Sequence, residues 1–367
     1  MSAIGESAAP LPAPAGDPNL ALLAGRPASH WLVTGVAGFI GSNLAETLLR
    51  GGQFVTGLDN FATGHRRNLD ELRERVGAEA WARFRFVEGD ICDPVACREA
   101  LSPTADGLPV EHLLHQAALG SVPRSIAQPL PSFAANVGGF LQILEAARAA
   151  GLRRIVYASS SSVYGDHPGL PKVEDRVGAV LSPYAATKAA DELFAATWAR
   201  VYGIECVGLR YFNVFGPRQD PDGAYAAVVP RWVASLLKGE QVWINGDGET
   251  SRDFCYVANA VQANLRAALA ASLPGPHQVF NVAVGDRTSL RELYGLIRGL
   301  LAGKEPALAD VEPAFRDFRE GDVRHSLADV SRARELLGYV PTHRVADGLA
   351  EAIDWYVGFV KGARPRN

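Results

Sequence analysis

Two residues on one face of a predicted helix have the chemistry of a base and its supporting cation. Tyr184 and Lys188 lie four positions apart in a helix predicted from Pro183 to Tyr202, so both side chains project from the same face. A phenolate can take a proton from an alcohol, and a neighbouring ammonium favours the phenolate by its charge. The same spacing is common on solvated helix faces and does not by itself indicate catalysis. The segment upstream supplies the further evidence.

That segment is YASSSSVYGD, which follows a strand predicted over Arg154–Ala158. Its serines are poor strand formers, but they stand at the carboxyl edge of the strand, where open parallel sheets bind ligands. Hydroxyl, phenol and ammonium together suit the oxidation of a secondary alcohol by hydride transfer to a nicotinamide. Ser160 is the hydroxyl expected to hold the alcohol oxygen and to relay its proton.

A glycine motif predicts where the nicotinamide cofactor binds. Gly35, Gly38 and Gly41 form TGVAGFIG between a strand predicted over Trp31–Thr34 and a helix predicted over Phe39–Arg50. The first glycine permits a tight turn, the second lets the backbone approach a pyrophosphate, and the third allows close helix–sheet packing. The helix N-terminus then offers N–H donors to the pyrophosphate.

An acidic residue within the expected distance of this motif indicates which cofactor is bound. Asp59 lies directly at the end of the second predicted strand, after Phe54–Leu58 and about 20 residues after the motif. Its carboxylate can accept hydrogen bonds from both ribose hydroxyls and repels a 2′-phosphate, which favours NAD. Arg66 and Arg67 follow closely and leave NADP as an alternative.

The third predicted strand, Phe84–Val87, leads to a candidate adenine contact. Asp90 and Ile91 follow this strand in EGDICD. An aspartate at a strand end is often a turn or helix cap. The other interpretation is that Asp90 contacts the adenine, because it follows the third strand of the predicted sheet, where the adenine edge would lie.

The elements that position these residues alternate between strands and helices, which predicts an α/β fold with a Rossmann-type, doubly wound parallel sheet. A long helix is predicted after Pro129–Pro131. We expect a flexible leader at 1–29 and an NAD-binding domain at 30–212, to which 254–285 return. A smaller, interleaved substrate lobe is expected at 213–253 and 286–367. The remaining predicted strands are His112–His115, Glu205–Arg210 and 277–284.

Composition excludes several classes of function. With a formal net charge of −4 and no basic stripe, the chain is not expected to bind nucleic acid. The leader lacks the pattern of a signal peptide, and no stretch reaches the ~18 apolar residues of a membrane helix. The four cysteines show no pairing or metal-ligand spacing, so we expect reduced thiols, no metal ion and a cytoplasmic location.

Taken together, the motifs resemble those of the extended short-chain dehydrogenase/reductase superfamily, and within it the UDP-N-acetylglucosamine 4-epimerases. The resemblance runs from about residue 31 to the C-terminus. It rests on TGVAGFIG, LDNFATG, HQAALGSVPRS, YASSSSVYGD, SPYAATK, LRYFNVFGPRQ, INGDGETSRDF and REGDVRHS.

The resemblance implies roles for individual residues. The catalytic hydroxyl lies four positions before Tyr164, which assigns it to Ser160, with Ser161 as the second choice. Asn213 and Arg252 match contacts to the nucleotide-sugar diphosphate, and Arg319 matches a second diphosphate or ribose contact. Further implied NAD contacts are Phe39, Ile40, Asn60, Gln116, Ala117, Ala118, Asn136 and Tyr211. Further implied substrate contacts are Ser121, Gln219, Tyr225, Asp322 and Ser326.

The implied reaction is oxidation of a UDP-sugar at C4, rotation of the 4-keto sugar, and return of the hydride to the other face. Many galactose-type epimerases carry lysine where this chain has Gly120, which places it outside that subgroup. Ser326 matches a position near the C2 substituent, where a small residue admits an N-acetyl group. A helix cap is the alternative role for Ser326.

Three other functions would each carry a characteristic residue pattern. A 4,6-dehydratase would carry Asp-Glu where this chain has Ser161 and Ser162. A uronic-acid epimerase or decarboxylase would need a cation, for which Arg124 or Arg316 could serve. A non-catalytic NAD-binding protein would typically lack the tyrosine or the lysine.

We also expect a homodimer formed by long helices. The apolar stripe Leu193, Phe194, Trp198 and Val201 would provide its contact. The alternative is that this stripe packs on the protein's own sheet.

Overall fold

The predicted alternation of strands and helices forms one sheet of seven parallel strands. The structure, a computed structural model, describes residues 16–222, 226–318 and 323–362. The strand order is β11-β6-β5-β4-β1-β2-β3, and every neighbouring pair is parallel. The seven strands are β1 (His30–Thr34), β2 (Phe54–Asp59), β3 (Phe84–Glu88), β4 (Val110–His115), β5 (Arg154–Ser160), β6 (Glu205–Tyr211) and β11 (His277–Val282). The sheet confirms the predicted α/β, Rossmann-type fold.

Helices cover both faces of this sheet and build a second lobe. They are α1 (Pro18–Ala21), α2 (Phe39–Arg50), α3 (Arg66–Trp81), α4 (Pro94–Ala100), α5 (Val122–Ala127), α6 (Pro129–Phe133), α7 (Gly139–Ala149), α8 (Pro183–Tyr202), α9 (Val228–Leu237), α10 (Val257–Leu269), α11 (Leu290–Ala302), α12 (Ser331–Leu337) and α13 (Val345–Val360). Short strands complete the fold: β7 (Val214–Phe215), β8 (Trp243–Asn245), β9 (Ser251–Arg252), β10 (Cys255–Tyr256), β12 (Thr288–Ser289) and β13 (Ala314–Arg316). No helix in the described ranges is long and apolar enough to cross a membrane.

The helix predicted after Pro129–Pro131 is interrupted. One turn of α-helix, α6, is followed by a π-helical turn over Ala134–Gly138 before α7 begins. A π turn inserts an extra residue into the helix, so a search for the 3.6-residue hydrophobic period does not predict it. Such turns often lie at functional sites.

The leader differs from the prediction in its second half. Residues 17–23 are not a free tail: Asn19 and Leu23 are buried, and the Asn19 amide donates to the Ala258 carbonyl oxygen at 3.0 Å. The Leu23 side chain packs against Gly51, where a Cβ would lie 2.4 Å from it. Leu23 lies in an Ala- and Pro-rich stretch with no periodic spacing of apolar residues. The hydrophobic pattern of the sequence therefore did not predict this contact.

The second lobe has its own core, formed by α9, α11 and α13 around Trp232, Ile297 and Tyr356. The chain returns to the large sheet at β11, which pairs with β6. In contrast, residues 328–339 were expected in the substrate lobe. Their apolar side chains join the core on the sheet, as Tyr339 and Leu337 do.

Candidate functional site

A cavity of about 670 Å³ opens at the carboxyl edge of the sheet and collects most of the predicted cofactor and catalytic residues. A second cavity of about 620 Å³ shares Val214 with it. Predicted residues that line the first cavity are Gly35, Gly38, Phe39, Ile40, Gly41, Asp59, Asn60, Asp90, Ile91, Gln116, Ala117, Ala118, Ser160, Tyr184, Lys188, Tyr211 and Gln219. Asn213 and Arg252 line the second.

The glycine motif has the geometry that a pyrophosphate needs. Gly35 has a φ of +68°, and a Cβ there would lie 2.8 Å from the Ala117 nitrogen. At Gly41 a Cβ would lie 2.1 Å from the Gly35 carbonyl oxygen, so helix α2 packs directly on the turn. No side chain caps α2 at Gly38, and its first-turn N–H groups are left for an anion.

Asp59 holds the same loop from the end of β2. Its carboxylate accepts hydrogen bonds from the backbone N–H groups of Ala37, at 2.9 Å, and Phe61, at 2.7 Å. Burial raises the pKa of Asp59, and these backbone donors oppose that effect. Each carboxylate oxygen has a second lone pair, so the side chain can still accept from a ribose.

Arg66 and Arg67, the two arginines that suggested NADP as an alternative cofactor, form ion pairs with carboxylates of the protein. Arg66 pairs with Glu88 at 2.8 Å and lies over the Phe61 ring. Arg67 pairs with Asp220 at 3.1 Å. The loop, the helix terminus and the carboxylate therefore fit NAD.

Asp90 has the contact of a turn cap and also lines the first cavity. Its carboxylate accepts from the Cys92 N–H at 2.8 Å, as a turn cap does, and from the Asn60 amide at 2.9 Å. It also lines the cavity beside Ile91.

A closed triangle of hydrogen bonds fixes Gln116 and Tyr211, which line the first cavity. The Tyr211 hydroxyl donates to the Gln116 amide oxygen at 3.0 Å, the Gln116 amide donates to Asn264 at 3.0 Å, and the Asn264 amide donates to the Tyr211 hydroxyl at 2.7 Å. Burial raises the pKa of Tyr211, so its phenol stays neutral. Asn264, which lies on α10, was not predicted because no local pattern marks it.

Tyr184 stands in the first turn of α8, which begins where the sequence predicted. Ser182 caps the helix by accepting from the Ala185 N–H at 3.1 Å, and Pro183 follows at the first helical position. The Tyr184 N–H donates to the hydroxyl of buried Ser125 at 2.9 Å. The side chain of Tyr184 is half-buried at the cavity wall.

Lys188 lies one turn further along the same face and is buried. Its ammonium donates to the Ala158 carbonyl oxygen at 3.0 Å and to the Asp191 carboxylate at 3.1 Å. Burial alone would lower the pKa of Lys188, but the charges of Asp191 and Tyr184 raise it above its ordinary value. The side chain therefore stays protonated around neutral pH.

The serine run divides into three roles. Ser159 donates to Glu192 at 2.5 Å, whereas the Ser160 oxygen accepts from the Ser162 hydroxyl at 2.9 Å. Because Ser160 is an acceptor in that contact, its own hydroxyl proton is left for the cavity it lines. Ser161 starts a 3-10 turn and does not line the cavity.

Asn136 lies behind the cavity wall, on the π-helical turn. It is buried, accepts from the Leu119 N–H at 2.7 Å and donates to the Thr187 hydroxyl at 3.0 Å. Thr187 in turn donates to the Tyr184 carbonyl oxygen at 2.8 Å. Asn136 thus fixes the loop and the helix around the site and does not face the cavity.

Several predicted substrate contacts lie away from the first cavity. Ser121 caps α5 by accepting from the Arg124 N–H at 3.2 Å. Ser326 is half-buried, its N–H donates to the Ser251 carbonyl oxygen, and it lines neither cavity. It caps no helix either, since α12 begins at Ser331. Three predicted contacts, Tyr225, Arg319 and Asp322, lie outside the described residues.

The second cavity carries cations suited to phosphate. The Arg252 guanidinium donates to the carbonyl oxygens of Ser251, at 2.9 Å, and Arg324, at 3.2 Å, which fixes it at the wall. Arg231, Lys238 and Arg316 line the same cavity. The Asn213 amide donates to the Asp253 carbonyl oxygen at 3.4 Å.

Comparison with known proteins establishes the family. Residues 31–283 match the model of the NAD dependent epimerase/dehydratase family, and the chain belongs to that family. Its cofactor is NAD, in agreement with the glycine motif and Asp59.

Relatives and solved structures extend the match over most of the chain. The chain is 40% identical over 326 residues to the UDP-glucose 4-epimerase of Mycolicibacterium smegmatis, covering 89% of this chain and 97% of that protein. A UDP-N-acetylglucosamine 4-epimerase from Methanobrevibacter ruminantium M1, solved with UDP-N-acetylmuramic acid, matches with a TM-score of 0.80, 33% identity, and coverage of 90% and 99%. A UDP-glucuronic acid 4-epimerase from Bacillus cereus, solved with UDP-glucuronic acid and NAD, matches with a TM-score of 0.77, 28% identity, and the same coverage.

Proposed function

We propose that the protein is a UDP-sugar 4-epimerase that interconverts UDP-N-acetylglucosamine and UDP-N-acetylgalactosamine. The observation that carries the proposal is that Tyr184, Lys188 and Ser160 line the same cavity as the glycine motif. The relatives and solved structures that match along the chain include 4-epimerases of three UDP-sugars.

Each residue has a part that its contacts support. NAD, when bound, supplies the acceptor and donor of the C4 hydride. Tyr184 takes the proton of the C4 hydroxyl, and the Lys188 cation stabilises the phenolate that does so. Ser160 can relay this proton by accepting it from the C4 hydroxyl while its own hydroxyl proton passes to the Tyr184 phenolate. After the sugar has turned about its phosphate link, the same residues return the proton.

The second cavity is proposed to hold the rest of the nucleotide. Arg252 and Asn213 would hold the diphosphate, since a guanidinium donates two parallel hydrogen bonds to phosphate oxygens. Fixing the diphosphate here while leaving space in the first cavity would let the sugar present either face. Gln219 lines the first cavity and is proposed as a sugar-side contact.

The preference for an N-acetyl sugar is the finer part of the proposal. It rests on Gly120, which leaves an open wall in the first cavity, and on the resemblance of REGDVRHS, which places a small residue, Ser326, at the position near the C2 substituent. Conversion of UDP-N-acetylglucosamine, UDP-glucose and UDP-glucuronic acid, followed separately by proton NMR, tests it. Turnover of UDP-glucose alone would overturn the N-acetyl preference.

A UDP-uronic acid 4-epimerase is the second candidate, and Arg124 is the observation that favours it. Its side chain lines the first cavity together with Tyr184, where a sugar carboxylate would lie. Faster turnover of UDP-glucuronic acid than of both neutral sugars, lost on Arg124→Gln, would establish this alternative instead.

We further propose a homodimer. Leu193 and Val201 of α8 are 68% and 62% exposed, and α6, which packs on α8, exposes Leu130 and Phe133. The predicted stripe divides here, because Phe194 and Trp198 pack on the protein's own core.

A further inference from the structure

Asp191 is a buried carboxylate on the catalytic face of α8. Tyr184, Lys188 and Asp191 are spaced i, i+4, i+7, so they follow one another along one face of the helix. The side chain of Asp191 is 2% exposed, and its Oδ2 accepts from the Lys188 ammonium at 3.1 Å. Its Oδ1 is buried and has no hydrogen-bond partner among the described residues.

The buried Asp191–Lys188 ion pair, with one carboxylate oxygen unpaired among the described residues, is not expected to stabilise the fold. An unsatisfied buried carboxylate oxygen carries a desolvation penalty, and a buried ion pair is seldom more stable than an apolar pair of the same size. Burial raises the pKa of Asp191 to about 6, an effect that the Lys188 charge opposes. The Asp191 carboxyl is therefore harder to ionise than an exposed one, and it lies beside the cation that supports the base.

The other ionisable groups around this pair are neutral or paired with each other. Glu192, the next residue on α8, accepts from the Arg210 guanidinium at 2.9 and 2.8 Å. On β4, burial and then the charge of Lys188 lower the pKa of His115 to about 3, so its ring is uncharged. On β5, burial raises the pKa of Tyr157, which therefore stays protonated. Asp191 is thus the charge that acts most directly on Lys188.

We propose that Asp191 is a positioning residue that holds the Lys188 ammonium and offsets its charge, and so sets the lower pH limit of turnover. The inference rests on the proposed function, in which Lys188 stabilises the Tyr184 phenolate. An ionised Asp191 weakens that stabilisation, and a neutral side chain at 191 restores it.

The test is Asp191→Asn, which keeps the size of the side chain and an oxygen for Lys188 but removes the charge. The acidic limb of the kcat/KM profile, measured from about pH 5 to 9, should move down by about one pH unit. That size follows from one charge acting over the ~10 Å rise of seven helical residues in a medium of effective dielectric constant about 20. Asp191→Ala should give the same shift if the asparagine variant does not fold. Glu145→Gln removes an exposed carboxylate of α7 and should leave the limb in place.

A titration without substrate keeps this proposal separate from the proposed function. The near-ultraviolet phenolate absorbance assigned to Tyr184, obtained by subtracting the Tyr184→Phe protein, should move down in pH by the same amount in the Asp191→Asn background. If no UDP-sugar is converted, the proposed function fails while this titration still tests Asp191. An unmoved titration, a shift to higher pH, or a loss of rate that is equal at every pH would overturn the role of Asp191.

Discussion

The hydroxyl oxygen of Ser125 accepts a 2.9 Å hydrogen bond from the backbone N–H of Tyr184. Ser125 is fully buried on α5, and its hydroxyl also donates to the Val122 carbonyl oxygen at 2.8 Å. The contact ties the first turn of α8 to α5, which follows β4 along the chain. The proposed base is therefore fixed through its backbone as well as by its place in the helix.

Replacing Tyr184 with Phe should reduce turnover by about 10²–10⁴-fold, because general acid–base groups contribute on this scale. The ring keeps its packing, so NAD should stay bound. Steady-state kinetics on UDP-N-acetylglucosamine and the NAD content of the purified protein measure both effects. The matched control is Tyr202→Phe at the exposed end of the same helix, which should turn over normally. Near-normal turnover in Tyr184→Phe would mean that another group is the base.

Replacing Gly41 with Ala should lower both NAD content and Tm, because the new Cβ would lie 2.1 Å from the Gly35 carbonyl oxygen. Helix α2 would have to move away from the turn that is expected to hold the pyrophosphate. Gly295→Ala in α11 is the control, since no atom beyond its chain neighbours and its own helix backbone lies within 4 Å of its Cβ position, and alanine favours a helix by about 1 kcal/mol. Equal NAD content in the two variants would argue against the cofactor site.

Much of this site follows from the sequence because its parts are local. The glycine motif, the Tyr184–Lys188 pair and the start of α8 depend on spacing within one strand–turn–helix or one helix, and the structure has each where it was predicted. Asp191 could also have been predicted, because it lies three residues after Lys188 and therefore on the same face of the helix. Ser125, Asn264 and the wall role of Asn136 depend on contacts between distant segments, which one sequence does not encode locally.

Replacing Ser326 with Tyr should reduce turnover of UDP-N-acetylglucosamine by at least ~100-fold, about 2.7 kcal/mol, and that of UDP-glucose by less than about tenfold. The expectation rests on the resemblance of REGDVRHS, since Ser326 lines neither cavity. Kinetics on both sugars decide it, with Ser331→Tyr at the exposed first residue of α12 as the control. Equal losses on the two sugars would show that Ser326 does not discriminate at C2.

Replacing Leu193 and Val201 together with Asp should convert a dimer into a monomer, because charged side chains would be buried in the proposed contact. Light scattering should give twice 39.1 kDa for the unmodified protein and 39.1 kDa for the variant. Val95→Asp, at a residue on α4 that is 59% exposed, should leave the mass unchanged. A 39.1 kDa particle for the unmodified protein at every concentration would rule the dimer out.

The most direct test of the central claim is proton NMR of UDP-N-acetylglucosamine incubated with the purified protein in D₂O. Oxidation and reduction at C4 within one site predict that UDP-N-acetylgalactosamine accumulates and that its C4 position keeps protium, because the hydride never exchanges with solvent. No conversion, or product that carries deuterium at C4, would contradict the account.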